Sequence, residues 1–351
     1  PVSPITSAKR VMKNIARKLL GTVAVLIGAL LLIALAGVAA TLLVDTRSVA
    51  SDLPPRVSEP GSRFVDVAFG RDETLTLHFI ESDKTDAGDR VLLLLHGFTF
   101  NVFSWEAQLR LLSGQGRIVA FDQLPYGLSA KVSDISGETP HPYDRESAVA
   151  LTLSAMDALG IEKATVVGNS SGGTLALELA MAAPTRVEAL VLVSPWVFVN
   201  RPVIPRWLAE TVPLRRLSLF IARQLGQRDG LLGESYANPG RITPDRRRLA
   251  GIHRQTRNWD LAWAALLNRS LSTPISVDGH LAGVTQPALV LTGDADPLVS
   301  PADSQRVAER LSAGSFATLP GCGHAPQEEC PEAFARILTD WLAGNDRQTG
   351  Q

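Results

Sequence analysis

Cysteine is nearly absent from this chain, with two in 351 residues, so a small disulfide-built scaffold is excluded. Tyrosine is scarce as well, with three. There is no internal repeat and no low-complexity tract, which removes solenoid, collagenous and wholly disordered architectures. The six histidines include no H-x-H or H-E-x-x-H spacing, so a metal-ligand set is lacking. No P-loop and no dinucleotide fingerprint occurs. Neither sign of charge is in large excess: 34 basic residues stand against 35 acidic ones. What is present is ordinary globular stock, 45% hydrophobic and long enough for one large α/β domain or two medium ones.

The charge balance conceals an asymmetry. Lys9, Arg10, Lys13, Arg17 and Lys18 precede residue 44 without a single acid, leaving the rest of the chain with six more acids than bases. An acidic body is a poor polyphosphate binder, which excludes nucleic acid as a partner. Leu19 to Val44 is an uncharged run of 26 residues, mostly Leu, Ala, Val and Ile. About 20 helical residues cross a hydrocarbon core, and a buried core helix of this length would keep a polar stripe. Residues 1–18 therefore read as a basic N-terminal segment and 19–44 as a transmembrane signal anchor. Ala34-Leu35-Ala36 and Val38-Ala39-Ala40 resemble cleavage sites, so secretion after signal cleavage is the alternative, but the run exceeds an ordinary signal core. The flanking cations predict a cytoplasmic N-terminus and an extracytoplasmic globular domain. Residues 45–62, with Pro54-Pro55 and Pro60-Gly61, read as a linker.

Beyond the linker, short apolar runs alternate with helical patterns. Phe64–Phe69 and Leu75–Ile80 predict a hairpin. Val91–Leu95, Ile118–Phe121, Ala164–Val167, Ala189–Val193 and Ala288–Leu291 are continuously apolar, as strands buried on both faces are. Arg145–Leu159, Ser171–Ala182, Pro301–Leu311 and Pro331–Leu342 predict helices between and after them, hence a mostly parallel sheet covered on both sides. The rhythm breaks over 196–286, where amphipathic pieces include a helix opened by Thr243 as N-cap and Pro244 in the first turn. Ninety residues is too long for a plain loop and predicts a helical lid. The core is then 63–195 and 287–345, with 346–351 as a tail.

Gly168-Asn169-Ser170-Ser171-Gly172 fits G-x-S-x-G between a strand and a helix. A sharp strand-to-helix turn strains the serine backbone, exposes its hydroxyl and aims helix N-terminal amides at developing negative charge. A nucleophilic serine needs a base, and the base an orienting acid. Gly293-Asp294-Ala295-Asp296-Pro297 follows the strand Ala288–Leu291, and Gly321-Cys322-Gly323-His324 follows the apolar run Phe316–Leu319. Of the six histidines only His324 lies in a glycine loop after a late strand. Either Asp294 or Asp296 can be the acid on this pattern. Asn169-Ser170-Ser171 also matches a glycosylation acceptor, which a buried elbow could not use.

These motifs, together with Leu95-His96-Gly97-Phe98, Trp105 and Pro184-Thr185-Arg186-Val187, make the chain from about Phe64 to Leu342 resemble the α/β-hydrolase superfamily, in its lidded serine hydrolase and esterase branch. The resemblance implies an α/β-hydrolase fold with a helical lid, Ser170 as nucleophile, Asp296 as acid (three residues after the glycine), and His324 as base. It implies an oxyanion hole from the backbone amides of Phe98 and Ser171, such donors being worth about 3–4 kcal/mol each where measured. His96 is expected to be a hydrogen-bonded structural residue. Where the family often reads D-x-x-G-x-G-x-S, this chain has Asp122-Gln123-Leu124-Pro125-Tyr126-Gly127-Leu128-Ser129, with proline at the first glycine. Epoxide hydrolases and dehalogenases on this scaffold use an aspartate nucleophile, whereas position 170 is serine, and only Tyr236 lies in the lid, where epoxide hydrolases use two tyrosines.

The expectation is a membrane-anchored enzyme cleaving carboxylic esters, lipid or other apolar acyl esters included, without cofactor or metal. The alternative within catalysis is a C–C bond hydrolase of ring-cleavage products, which the Gly-Asn-Ser-x-Gly-Gly elbow also resembles but which the expected anchor counts against. A catalytically silent scaffold serving as a binding module is the alternative of another class. Phe98, Phe103, Trp105, Trp196 and Phe198 are candidates for an apolar substrate pocket. Cys322 and Cys330 bracket His324 and could pair in an oxidising compartment, or remain small buried thiols.

Overall fold

The structure is a computed structural model. It describes residues 36–50, 59–71, 73–82, 89–133, 140–198 and 203–349, with the side chains of 346–349 excepted. Most of the expected span at 19–44 lies outside the described residues. Residues 36–41 are helical, and no helix among the described residues is long and apolar enough to cross a membrane.

Eight strands form one sheet in the order β1-β2-β4-β3-β5-β6-β7-β8. The strands are β1 Arg63–Phe69, β2 Glu73–Glu81, β3 Val91–Leu95, β4 Arg117–Phe121, β5 Ala164–Asn169, β6 Val187–Val193, β7 Ala288–Gly293 and β8 Gly314–Leu319. β1 pairs antiparallel with β2, and β2 with β4; all remaining pairs are parallel. The helices flanking the sheet are α1 Glu106–Leu111, α2 Arg145–Ala158, α3 Ser171–Ala182, α7 Pro301–Arg310 and α8 Pro331–Thr349. Helices α4 Val212–Gln227, α5 Pro244–Ala250 and α6 Trp259–Leu271 lie in the insertion between β6 and β7.

The apolar runs of the sequence are strands with two buried faces. Leu93 and Leu95 of β3 pack into one core with Met156 of α2, Leu179 of α3 and Val307 of α7. Leu92 and Leu94, pointing the other way, meet Trp105, Phe334 and Leu338 in a second core that includes α8. The period of two along a strand thus assigns each residue to one layer or the other.

The insertion is helical, as the loss of strand signal predicts. Thr243 Oγ1 caps α5 by accepting from Arg246 N at 3.1 Å, with Pro244 in the first turn. Leu219 and Ala222 of α4 pack on Trp259 and Trp263 of α6. Two boundaries differ from expectation. Residues 45–50 are not a free linker: Ser48 Oγ donates to Asp260 Oδ1 at 2.6 Å, and Arg223 donates to the carbonyls of Asp45 and Arg47 at 2.7 and 2.6 Å. The expected tail is helical as far as Thr349, because nothing in Asn345-Asp346-Arg347-Gln348 breaks α8.

Candidate active site

Ser170 sits between β5 and α3 at φ 56°, a left-handed conformation that costs a non-glycine residue energy and holds its side chain clear of both elements. The flanking glycines have a steric cause. A Cβ on Gly168 would stand 2.3 Å from the Gly172 carbonyl oxygen, and one on Gly172 would stand 2.3 Å from that of Leu95. The elbow closes only because both side chains are missing. Asn169 is buried, its amide donating to the carbonyls of Val193 (3.2 Å) and His324 (3.0 Å). The formal glycosylation match is therefore an internal strut.

His324 Nδ1 lies 2.9 Å from Asp296 Oδ2 and 3.1 Å from Oδ1, both side chains being buried. Burial alone would raise the Asp296 pKa. The bond and charge of His324, with the amides of Val299 (2.9 Å) and Leu298 (2.8 Å), hold it below the ordinary carboxylate range. An ionised Asp296 fixes the Nδ1–H tautomer and leaves Nε2 free to take a proton. Asp294, the other candidate acid, is exposed and accepts from Gly321 N at 2.7 Å, so it shapes the histidine turn instead. Ser170 and His324 line the same cavity, of about 400 Å³. Among the described residues no hydrogen bond joins the Ser170 hydroxyl to a protein group. Such contacts commonly tighten only with substrate bound.

Gly97, Phe98 and Ser171 all line the cavity, where the two oxyanion amides are expected. Its apolar wall includes Tyr126, Leu151, Leu175, Trp196 and Leu266. Of the predicted pocket residues, Phe98 and Trp196 line it and three do not. Phe103 packs near His78, with ring centroids 5.8 Å apart, and Trp105 packs on Phe334 at 6.3 Å, both buried in the second core. Phe198 lies under the guanidinium groups of Arg306 and Arg310. Aromatic residues after a strand serve the core as readily as a pocket, which is why sequence position misassigned these three. The ionic groups of the wall are already paired among themselves or with neighbours. Arg145 is bonded to Glu178, and Asp144 to Arg269. Burial pushes the Glu178 pKa up despite Arg145 beside it.

His96 is structural, as expected: Nδ1 donates to Gly97 O at 2.8 Å and Nε2 accepts from Gln123 N at 3.0 Å. Burial lowers its pKa, consistent with a neutral ring. Beside it, the buried Asp122 carboxylate takes His78 Nδ1 at 2.6 Å, Val102 N at 2.7 Å and Leu128 N at 2.8 Å. The motif at 122–129 is thus a fastening for the loop that carries Tyr126. The proline at 125 leaves that fastening intact.

Two supports of the site have no sequence signal. Glu329 is buried and accepts from Gly323 N (2.7 Å), Ala237 N (2.9 Å) and Asn238 N (2.8 Å), tying the histidine loop to the insertion. His324 N donates to Ser235 O at 2.7 Å, a second tie. Cys322 and Cys330 form a disulfide with Cα atoms 6.3 Å apart, closing the short loop that contains His324.

The alpha/beta hydrolase family profile matches residues 92–337. A protein of Pantoea ananatis named as the carbamate hydrolase RutD is 27% identical over 249 residues, covering 68% of this chain and 82% of its own. A 2-hydroxymuconate semialdehyde hydrolase of Pseudomonas sp. CF600 is 28% identical over 265 residues, covering 73% and 87%. The crystal structure of a bacterial membrane phospholipase A superposes over 94% of this chain and 98% of its own, with a TM-score of 0.59 and 22% identity, a likeness of fold. With an eight-stranded, mostly parallel sheet, the serine elbow after β5 and a profile spanning most of the sequence, the chain belongs to the alpha/beta hydrolase family.

Proposed function

We propose that the protein is a membrane-anchored serine hydrolase that cleaves carboxylic esters of apolar acids through an acyl-enzyme on Ser170. The observation that carries this reading is the convergence of Ser170 and the Asp296–His324 pair on an apolar cavity whose ionic groups are already paired. Ser170 Oγ attacks the carbonyl while His324 Nε2 takes its proton, and ionised Asp296 stabilises the imidazolium. The amides of Phe98 and Ser171 receive the oxyanion. His324 returns the proton to the leaving alcohol, then activates water to release the acid. The helical insertion acts as a lid, supplying Leu231, Ser235 and Leu266 to the cavity wall.

A second reading, C–C bond hydrolysis of ring-cleavage products, is supported by the Gly-Asn-Ser-Ser-Gly-Gly elbow and by the name of the Pseudomonas relative. Carbamate cleavage, suggested by the name of the Pantoea relative, needs the same attack on a carbonyl. Ring-cleavage products carry a carboxylate, and Arg145, the cavity's cation, is already bonded to Glu178; this favours a neutral ester. The anchoring part of the reading rests on the uncharged run 19–44 behind five cations.

The test is hydrolysis of p-nitrophenyl esters from short to long acyl chains, with Ser170→Ala as control and a ring-cleavage semialdehyde and a carbamate in parallel. Ester turnover abolished by Ser170→Ala supports the reading, and the chain-length optimum measures the cavity. Turnover of the semialdehyde or carbamate without any ester turnover overturns it.

A further inference from the structure

Ten large apolar side chains stand exposed among the described residues, and every one falls within 38–49 or 203–221. The sheet and its flanking helices contribute none. Chance would scatter such residues singly over the surface, so their confinement to two segments calls for a cause.

The two segments are one surface. Arg216 Nη1 donates to Leu42 O, and Arg223 reaches the carbonyls of Asp45 and Arg47 while its Nε binds Asp260 Oδ2 at 2.9 Å. Ser48 and Val49 bind the same Asp260 carboxylate. The chain that follows the uncharged run is therefore stapled to α4 and α6 of the insertion. On α4 the inward stripe is Ser218, Leu219, Ala222 and Gly226, all buried. The outward stripe carries Leu217, Phe220 and Ile221, spaced i, i+3, i+4, a contiguous apolar ridge on the side that ought to be polar. Trp207 is 72% exposed just ahead of α4, and Leu43 is 87% exposed on the stapled segment.

We propose that this face of the insertion lies on a lipid bilayer. The chain itself names the occupant. Residues 19–35, immediately before the stapled segment, contain no charged residue, and as a helix they would rise about 26 Å. With the residues that follow they meet the thickness of a hydrocarbon core. A chain leaving a bilayer at 36–44 sets the ridge of α4 beside the point of exit. The ridge also has interfacial chemistry: tryptophan and arginine are residues of the headgroup zone, Trp207 is exposed beside Arg206, which pairs with Glu210, and Arg216 stands one helix turn from Phe220. The consequence is that the insertion covering the cavity faces the membrane, so apolar substrate reaches Ser170 from the lipid side. Docking itself requires only the bilayer and is independent of which bond Ser170 cleaves.

The full chain is reconstituted into phosphatidylcholine–phosphatidylglycerol vesicles containing brominated phosphatidylcholine, and tryptophan fluorescence is compared between the unmodified protein and Trp207→Phe. The run 19–44 contains no tryptophan, so anchoring alone gives no signal. Docking predicts bromolipid quenching of the unmodified protein that Trp207→Phe removes, and that Phe220→Glu weakens by at least half. Trp207 is exposed, so the variant is expected to stay folded, which circular dichroism checks. Quenching equal in the two proteins, failure to float with vesicles, or concentration-dependent cross-linking between copies through Phe220 without quenching each overturns the proposal.

Discussion

Glu329 is the residue whose loss should most clearly separate a site that is held from one that is merely present. Its buried carboxylate accepts three backbone N–H bonds at 2.7–2.9 Å, from Gly323 in the histidine loop and from Ala237 and Asn238 in the insertion. In Glu329→Gln one oxygen can keep Gly323 and Ala237, but the amide nitrogen then faces the Asn238 N–H, donor against donor. One charge-assisted bond of about 1.5–3 kcal/mol is lost and two others fall to neutral strength. Cheaper burial of an uncharged group offsets part of this, leaving a net cost of about 2–3 kcal/mol. A Tm lower by about 3–4 °C is expected by thermal melting. Because Glu329 ties the loop carrying His324 to the insertion, and the substitution removes its Asn238 bond and weakens those to Gly323 and Ala237, kcat should fall about tenfold or more while KM changes little, since Glu329 does not line the cavity. Glu329→Gln with unchanged Tm and kcat would refute the reasoning.

Other consequences follow from the same geometry. Gly172→Ala places a Cβ 2.3 Å from Leu95 O and 2.6 Å from His96 O, both backbone atoms, so it should cost about 3 kcal/mol or more and show as loss of soluble protein or a collapsed denaturation midpoint. Reducing the Cys322–Cys330 disulfide, eight positions apart, should cost about 2.5 kcal/mol by loop closure and lower the Tm in dithiothreitol, an effect absent from a Cys322→Ala/Cys330→Ala double variant. Asp296 has a folded pKa below its unfolded value, so the stability it contributes is complete above about pH 4 and is lost as pH falls through the folded value. Urea unfolding should therefore show the deficit of Asp296→Asn shrinking below pH 4, while its activity stays down by about 10³–10⁴-fold at neutral pH.

The strands were legible because a parallel sheet buried on both faces leaves a run such as Val91-Leu92-Leu93-Leu94-Leu95 with nowhere to put a polar residue. The elbow was legible because Gly168 and Gly172 are dictated by backbone contacts 2.3 Å away, constraints that only glycine meets. His324 and Asp296 follow strands β8 and β7 at short distance, so chain order announced them. The pocket was not legible in the same way. Phe103, Trp105 and Phe198 have the composition of a pocket wall, but which face of a loop points inward depends on partners such as Phe334, distant in sequence. Glu329 was silent for the related reason that its three partners are backbone amides, which carry no residue signature. The docking of 45–50 onto the insertion was hidden by Asp260 and Arg223, a pair 37 positions apart that looks like any surface charge until folded.

The central claim is that Ser170 is a nucleophile activated by His324 and Asp296. A fluorophosphonate probe, followed by intact-mass measurement and peptide mapping, tests it without knowledge of the natural substrate. One covalent adduct per chain is expected, mapped to Ser170, abolished in Ser170→Ala and strongly slowed in His324→Ala and Asp296→Asn. An adduct on another residue, or folded protein that takes up no probe, would contradict it.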